Sequence, residues 1–251
     1  MSEKHIFALH TTHLPSLQNL EAGISVLVPD FDLWHRIITV LHLSQGEECI
    51  LFDDEKNIHL TLLASPKKGV IAGVAKAMEK ITPIKPAIHL FQGILKREAF
   101  NDAMYLAAQM GACQVTPLVT QKVQRSWGGE KESERLYKVM IAACEQAKQF
   151  SIPVINKPVE LSALSLPAND SKTLSLFCEP SGMPLLKCLQ NIATQGYQTI
   201  NIFIGPEGGF VQEEQELLKA GNIAPHALTT SILRSQEAVA VILGSIRSVA
   251  R

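Results

Sequence analysis

The chain has 251 residues, of which 46% are hydrophobic and 19% charged, the composition of a globular protein of one or two domains. Its 23 Lys and Arg against 24 Asp and Glu leave a net charge of −1, which excludes nucleic-acid binding through overall positive charge. RNA binding would then need a local basic patch or recognition of shape. No apolar run reaches the roughly 20 residues of a bilayer span, and we expect neither membrane association nor export.

Cysteine and histidine usage indicates the compartment and disfavours the common metal sites. The five cysteines are scattered without C-x-x-C spacing, which is typical of reduced thiols in a cytoplasmic protein. The eight histidines form neither an H-E-x-x-H motif nor a Cys/His cluster, so we expect no metal.

Short strand candidates separated by turn residues dominate the first 80 residues. Apolar, β-branched runs predict strands at 24–28, 49–52, 58–63 and 70–75. One helix is predicted at 31–43, with Trp34, Ile37, Ile38 and Leu41 on a single face. Several short strands at this spacing predict a small β-barrel domain over residues 1–80, followed by a proline-containing linker at 79–86.

From residue 87 onward, predicted strands alternate with predicted helices. Strands are predicted at 87–91, 114–118, 173–178, 199–204 and 227–230, and helices at 98–110, 134–150, 184–194, 212–220 and 236–249. Ser133 is positioned to cap the second of these helices. The alternation predicts a parallel α/β sheet covered on both faces, in a domain over residues 85–251.

The most informative motif is the end of the strand predicted at 199–204. This β-branched run stops at Gly205-Pro206-Glu207-Gly208-Gly209, where proline cannot continue the strand and glycine permits close approach of the backbone. Such a turn at the carboxyl end of a parallel strand is a common ligand site, although a tight turn without a ligand has the same composition. The turn has neither G-x-G-x-x-G nor Walker spacing.

A second motif, Ile232-Leu233-Arg234, precedes the last predicted helix, and the two motifs together resemble the RsmE family of ribosomal RNA methyltransferases in the SPOUT superfamily. Four further blocks match in the expected order: Val40-Leu41, Leu51-Phe52-Asp53, Thr116-Pro117-Leu118 and Ala142-Ala143-Cys144-Glu145-Gln146. The resemblance therefore covers nearly the whole chain.

The resemblance implies a two-domain enzyme: a PUA-like β-barrel over 1–80, expected to bind RNA, and a SPOUT-type α/β domain over 85–251 with a C-terminal trefoil knot. It implies S-adenosylmethionine as cofactor, and methylation of uracil N3 in 16S ribosomal RNA of the small subunit. This cofactor has a sulfonium cation and no phosphate, which suits a turn followed by Glu213, Glu214 and Glu216. The cofactor contacts implied are Phe177, Glu179, Pro180, Ile204, Gly205, Pro206, Glu207, Gly208, Gly209, Leu228, Thr229, Ser231, Ile232 and Leu233.

Methylation at N3 requires loss of the imide proton, which a nearby cation favours. Arg234, which opens the last helix, is the expected catalytic residue; the alternative is an ion pair with a neighbouring carboxylate. Lys122, Arg125 and Trp127 lie in a polar loop that is either an RNA contact or simply solvated. The helix at 236–249 is apolar around much of its circumference, which predicts a homodimer or burial within its own domain.

The chain departs from the family pattern at several side chains. Ser231 replaces an arginine and Gln236 a glutamate, and other departures fall at His42, Tyr105, Leu106, Gln109 and Gln149. Two alternatives therefore stay open: a SPOUT methyltransferase that acts on another RNA base or a ribose, and a non-catalytic relative that binds RNA or the ribosome.

Overall fold

The computed structural model describes residues 6–16 and 22–250, which divide into two compact units. Unit 1 comprises Met1–Thr82 and Cys144–Ser151, and unit 2 comprises Pro83–Ala143 and Ile152–Arg251.

Within its described residues, unit 1 contains a five-stranded sheet in the order β1-β3-β4-β5-β2. Strand β1 pairs with β3 in parallel and the other neighbours are antiparallel. The sequence prediction has no strand at β1, because its four residues are held mainly by their pairing with β3. The strands are β1 (Phe7–His10), β2 (Ser25–Pro29), β3 (Glu48–Phe52), β4 (Lys56–Leu62) and β5 (Val70–Lys80).

The helix predicted at 31–43 is shorter and changes its winding. Helix α1 (Phe31–Trp34) begins after Asp30, whose carboxylate accepts a hydrogen bond from the Leu33 backbone N–H at 2.9 Å. It continues as a π-helix over His35–Val40, and the buried residues Leu33 and Ile37 face the core of the unit. Elsewhere in the unit, Arg36 donates to both carboxylate oxygens of Glu145, at 2.9 and 2.6 Å.

The linker predicted at 79–86 begins too early, since β5 extends to Lys80. Lys56 and Asn57 at the start of β4 pair with Lys80 and Glu79, so the ladder continues through two charged residues of low β propensity.

Unit 2 is an α/β domain, and the pairings among its described strands are parallel. The strand order is β12-β10-β11-β6-β7-β8, with β9 paired to β7. The strands are β6 (Ala87–Gly93), β7 (Gln114–Val119), β8 (Val154–Ile155), β9 (Val159–Glu160), β10 (Thr173–Pro184), β11 (Thr199–Ile204) and β12 (Ala224–Ala227). The helices are α2 (Arg97–Gln109), α3 (Glu130–Ala147, whose residues from Cys144 onward belong to unit 1), α4 (Leu185–Gln195), α5 (Gln212–Ala220) and α6 (Ser235–Val249). The prediction of a parallel α/β sheet is confirmed.

Two strand boundaries differ from prediction because β10 and β12 pair across an irregular register. Cys178 and Met183 of β10 are both matched with His226 of β12, so β10 resumes after a looped segment and reaches Pro184. The strand predicted at 227–230 is wrong: β12 ends at Ala227, where the pairing with β10 ends. Ser133 is not a cap, since α3 begins at Glu130.

The centre of unit 2 is β11, which is buried along its length from Ile200 to Ile204. Phe203 stacks on Phe91 of β6 with ring centroids 4.3 Å apart and an interplanar angle of 5°. Helix α6 is fixed at its far end by Arg247, whose guanidinium donates to the carbonyls of Met110, Pro86 and Gly111. The carboxyl ends of the central strands are thereby set against the start of α6.

A glycine at the end of β6 permits this close packing, and its replacement should be costly. A Cβ on Gly93 would lie 2.5 Å from the Pro206 nitrogen and 2.8 Å from the Gly205 carbonyl carbon. We expect Gly93→Ala to lower the free energy of unfolding by about 1–3 kcal/mol through overpacking, measured by urea denaturation. Gly244→Ala in α6 is the control, because its Cβ would find only Met110 Sδ, at 4.0 Å, and helix propensity favours alanine. Equal stability of Gly93→Ala and the unchanged protein would contradict the argument.

Candidate cofactor site

A cavity of about 360 Å³ opens in unit 2 at the carboxyl ends of β10 and β11, a volume suited to a small ligand. Three segments form it: the turn after β11, the loop within β10, and the chain between β12 and α6. Its lining residues are Lys122, Cys178, Glu179, Pro180, Ile204, Gly205, Pro206, Glu207, Gly208, Gly209, Phe210, Gln215, His226, Leu228, Thr229, Ser231, Ile232, Leu233, Ser235 and Ala238.

The first wall is the glycine turn, here Gly205–Gly209, and its own residues hold it in shape. Gly209 has a φ of +66°, which favours glycine, and its N–H donates to the Pro206 carbonyl at 2.9 Å. The Glu207 carboxylate accepts a hydrogen bond from the Lys96 backbone N–H at 2.8 Å, and the Gly208 carbonyl accepts one from Lys122 Nζ at 2.8 Å. The turn therefore presents mostly backbone to the cavity, with its one carboxylate already bonded.

A buried carboxylate sets the start of α5 behind this turn. Glu214, 7% exposed, accepts hydrogen bonds from the backbone N–H groups of Val211 (2.9 Å) and Gln121 (2.8 Å). It therefore closes the first turn of α5 and joins the loop that carries Lys122 to the glycine turn.

The second wall lies between β12 and α6. Thr229 Oγ1 donates to the Ser231 carbonyl at 2.6 Å and forms a local turn, while the Ile232 side chain is 83% exposed. The buried Ser235 hydroxyl donates to the Gly205 carbonyl at 2.8 Å, which joins this wall to the first.

The third wall comes from β10 and β12. Burial raises the pKa of the Cys178 thiol to about 12, so the thiol stays protonated at neutral pH and is a poor nucleophile. Burial also lowers the pKa of His226 below its usual value, although a hydrogen bond with the Met183 backbone acts to raise it. The imidazole is therefore neutral at pH 7. The Glu179 carboxylate accepts hydrogen bonds from Gln215 Nε2 (3.1 Å) and Ser181 Oγ (3.3 Å).

The structure brings thirteen of the fourteen expected cofactor contacts to this cavity. Phe177 does not line it: the side chain is fully buried and contacts Phe210 edge to face, with centroids 6.2 Å apart.

Arg234, the expected catalytic residue, is exposed at the start of α6 and is not among the lining residues. Among the described residues its guanidinium makes no hydrogen bond or ion pair, and its backbone carbonyl accepts the Ala238 N–H at 3.0 Å. Its guanidinium is thus a solvated cation next to the second wall.

The three residues expected to contact RNA occupy different environments. Lys122 is exposed and lines the cavity. Arg125 donates to both carboxylate oxygens of Glu132, at 2.9 and 2.6 Å, and to the Leu95 carbonyl at 2.6 Å. Trp127 lies edge-on to Phe100 with centroids 6.0 Å apart. Arg125 and Trp127 therefore anchor the loop from which Lys122 extends.

The cavity is also lined by five residues that were not predicted from the sequence, Phe210, Gln215, His226, Ser235 and Ala238. Phe210 and Ser235 could have been predicted from the sequence, because each directly follows one of the two motifs. His226 could not, since only the irregular pairing of β10 and β12 places it there.

Over residues 6–16 and 22–250, no group of three or more His, Cys, Asp or Glu is arranged to hold a metal ion. Over the same residues, no helix has the length and apolarity needed to cross a membrane.

Comparison with known proteins identifies the family. Residues 82–247 match the model of the RNA methyltransferase domain, and the chain belongs to that family. Ribosomal RNA small subunit methyltransferase E of Rickettsia conorii is 27% identical over 215 residues, 85% of either chain. The Synechocystis protein of the same name is 24% identical over 235 residues, 92% of this chain and 75% of that one.

Two solved structures share the fold. Ribosomal RNA small subunit methyltransferase E from Neisseria gonorrhoeae, bound to S-adenosyl methionine, aligns with a TM-score of 0.80 and 19% identity over 98% of each chain. A putative methyltransferase from Legionella pneumophila, in complex with the same cofactor, aligns with a TM-score of 0.77 and 24% identity over 98% of this chain and 99% of that one. The resemblance stated from the motifs is confirmed.

Proposed function

We propose that this member of the RNA methyltransferase family is an S-adenosylmethionine-dependent enzyme that methylates N3 of a specific uridine in 16S ribosomal RNA. The observation that carries the proposal is the cavity, because two of its three walls are built from the segments that define the sequence resemblance. The names of the relatives support small-subunit ribosomal RNA as substrate.

The lining residues fit the proposed cofactor. When bound, S-adenosylmethionine supplies a methyl group on a positively charged sulfur. The backbone of the glycine turn and of residues 228–233 would hold the adenosine, since backbone N–H and C=O groups pair with a base edge without side-chain identity. Glu179 and Glu207 add negative charge at the cavity, which suits a cationic ligand and opposes a phosphate. Phe177 would support this site from behind, through Phe210.

The catalytic cation proposed is Arg234. N3 of uracil must lose its proton before it accepts a methyl group, and a guanidinium nearby stabilises the resulting anion. Arg234 is available for this role because no carboxylate in the described residues pairs with it.

The RNA contact proposed is the loop that carries Lys122, Arg125 and Trp127. Lys122 would meet the RNA directly, because it is exposed beside the cavity with two N–H donors beyond the one given to Gly208. Arg125 and Trp127 would hold the loop in place and present its polar surface to the RNA.

The remaining family features are part of the proposal. The resemblance to the family extends to a trefoil knot in unit 2 and a PUA-like barrel in unit 1, and the five-stranded sheet of unit 1 supports the barrel. The five free cysteines favour a reducing, cytoplasmic location.

The function can be tested by cofactor binding together with mapping of the methyl group. S-adenosylmethionine and its demethylated product should each raise the melting temperature of the purified protein. A methyl on N3 blocks the Watson–Crick edge, so 16S ribosomal RNA from cells lacking the gene should lose one reverse-transcription stop and regain it on complementation. Cofactor binding with unchanged stops would indicate another base or a ribose as target. No stabilisation by either compound at millimolar concentration would indicate a non-catalytic RNA-binding relative.

The role of Arg234 can be tested by separating turnover from binding. Arg234→Ala should reduce kcat by about two to three orders of magnitude, as for loss of one oriented electrostatic group, with little change in cofactor Kd. Arg234→Lys should restore only part of kcat, because a point charge replaces a planar fork. Parallel loss of kcat and cofactor binding would instead make Arg234 a structural element of the wall.

Lys122→Ala is the contrasting variant in the same assay. It should raise KM for RNA and reduce the salt dependence of RNA binding, as loss of one phosphate contact does. Lys138→Ala, at an exposed position of α3, is the matched control and should leave both unchanged.

A homodimer is proposed from the apolar surface around α6. Helix α6 buries Val239, Ile242, Leu243 and Ile246 within the chain itself, so these four side chains need no partner, and half-buried Val241 lies on the same helix. Exposed apolar side chains elsewhere in unit 2 include Leu186 (65%) and Met183 (56%).

Light scattering at micromolar concentration should give twice the chain mass. Leu186→Glu should shift the protein toward the monomer, because a charge would be buried in the interface. Val154→Glu, at a similarly exposed position of β8, should not. A monomer mass for the unchanged protein would overturn the proposal.

A further inference from the structure

One hydrogen bond joins the two main walls of the cavity. The Ser235 hydroxyl, at the first residue of α6, donates to the carbonyl of Gly205, at the first residue of the glycine turn, over 2.8 Å. Both residues are buried and both line the cavity. The separation of the walls therefore depends on the direction of one hydroxyl group.

A third side chain sets that direction from behind. Gln92, on β6, is fully buried, and its Nε2 donates to Ser235 Oγ at 2.8 Å. The same Nε2 donates to the Gly93 carbonyl at 3.0 Å and reaches the Gly205 carbonyl at 3.5 Å, the outer limit of a hydrogen bond, while Oε1 has no partner among the described residues. A serine hydroxyl has one proton and two lone pairs. Because Gln92 occupies a lone pair of Ser235, the single hydroxyl proton is left for Gly205.

Gln92 does not itself line the cavity. It lies one residue before Gly93, against which the glycine turn packs with no room for a Cβ. The end of β6 thus fixes the turn sterically through Gly93 and fixes the start of α6 through Gln92. Such a fully buried amide has no contact with solvent and, within the described chain, no direct contact with the ligand space.

We infer that Gln92 is a positioning residue for the cofactor: by orienting the Ser235 hydroxyl toward Gly205, it holds the cavity walls at the separation that the bound cofactor requires. The inference rests on the proposed function, since it takes the cavity to be the S-adenosylmethionine site. It assigns cofactor affinity to a side chain outside the lining.

The test is a double-mutant cycle on cofactor affinity, measured by titration calorimetry with S-adenosylmethionine. Gln92→Met keeps the side-chain length and removes the donor, and Ser235→Ala removes the hydroxyl. Each should raise Kd roughly tenfold, as expected for loss of one buried hydrogen bond. The double variant should be no weaker than the worse single variant, because both changes break the same chain of bonds. Ser235→Thr keeps the hydroxyl and should bind the cofactor as the unchanged protein does.

A matched control lies in the same sheet. Asn201 Nδ2 donates to Ser175 Oγ at 3.1 Å, and both residues are buried outside the cavity lining. Asn201→Leu should lower stability as Gln92→Met does, yet leave Kd unchanged. This separates positioning from a general loss of packing.

Three results would overturn the inference. These are an unchanged Kd in Gln92→Met with a cofactor-binding wild type, additive effects in the double variant, or an equal rise of Kd in Asn201→Leu. If Gln92→Met does not fold, the inference is overturned when Ser235→Ala and Ser235→Thr bind the cofactor with equal Kd. Failure of the unchanged protein to bind S-adenosylmethionine would instead overturn the proposed function itself.

Discussion

The close approach of the glycine turn to the end of β6 is the constraint on which the cavity depends. Pro206 ends β11, and the turn folds back so tightly that position 93 has no space for a side chain. This packing leaves the backbone of the turn facing outward as a wall, and the start of α6 is fixed to the same point through Ser235. The cavity therefore exists because β11 stops abruptly beside β6, which ends in a glycine. The exposed backbone N–H and C=O groups then determine which ligand groups the cavity can bind.

The acidic residues around the turn have two different roles, one in shaping the start of α5 and one in lining the cavity, and the sequence alone does not show which residue has which role. Glu214 is buried and accepts two backbone hydrogen bonds, so it shapes the start of α5. Glu207 and Glu179 line the cavity and are bonded to Lys96 and Gln215, respectively. Their negative charge stays at the cavity although their orientation is fixed. The cavity thus has two carboxylates of fixed orientation, and the ammonium of Lys122 is in the same lining.

Local patterns predicted the parts of the fold that depend on local chemistry. The bounds of β11 and α5 match the sequence prediction because a proline and three glycines stand between them. Strand β12 was misplaced because its position depends on pairing with β10 across a shifted register, which is a tertiary contact. The same limit applies to the site: the glycine turn and residues 228–233 were predictable, whereas His226 and Gln92 owe their roles to neighbours distant in sequence. Phe177 was predicted as a contact because it belongs to the same strand-end segment as Glu179, but its side chain is buried against Phe210.

The side chains at which the chain departs from the family pattern are not in the buried core. His42 is exposed, and Tyr105, Leu106, Gln109, Gln149 and Gln236 are half-buried or exposed. Ser231 alone among these lines the cavity, where its carbonyl accepts the Thr229 hydroxyl and its own side chain is exposed. By contrast, matched Glu145 pairs with Arg36 within unit 1 and has a structural role. Because a wall made of backbone tolerates changes of side chain, these substitutions alter the surface available to an RNA substrate and leave the cofactor cavity intact.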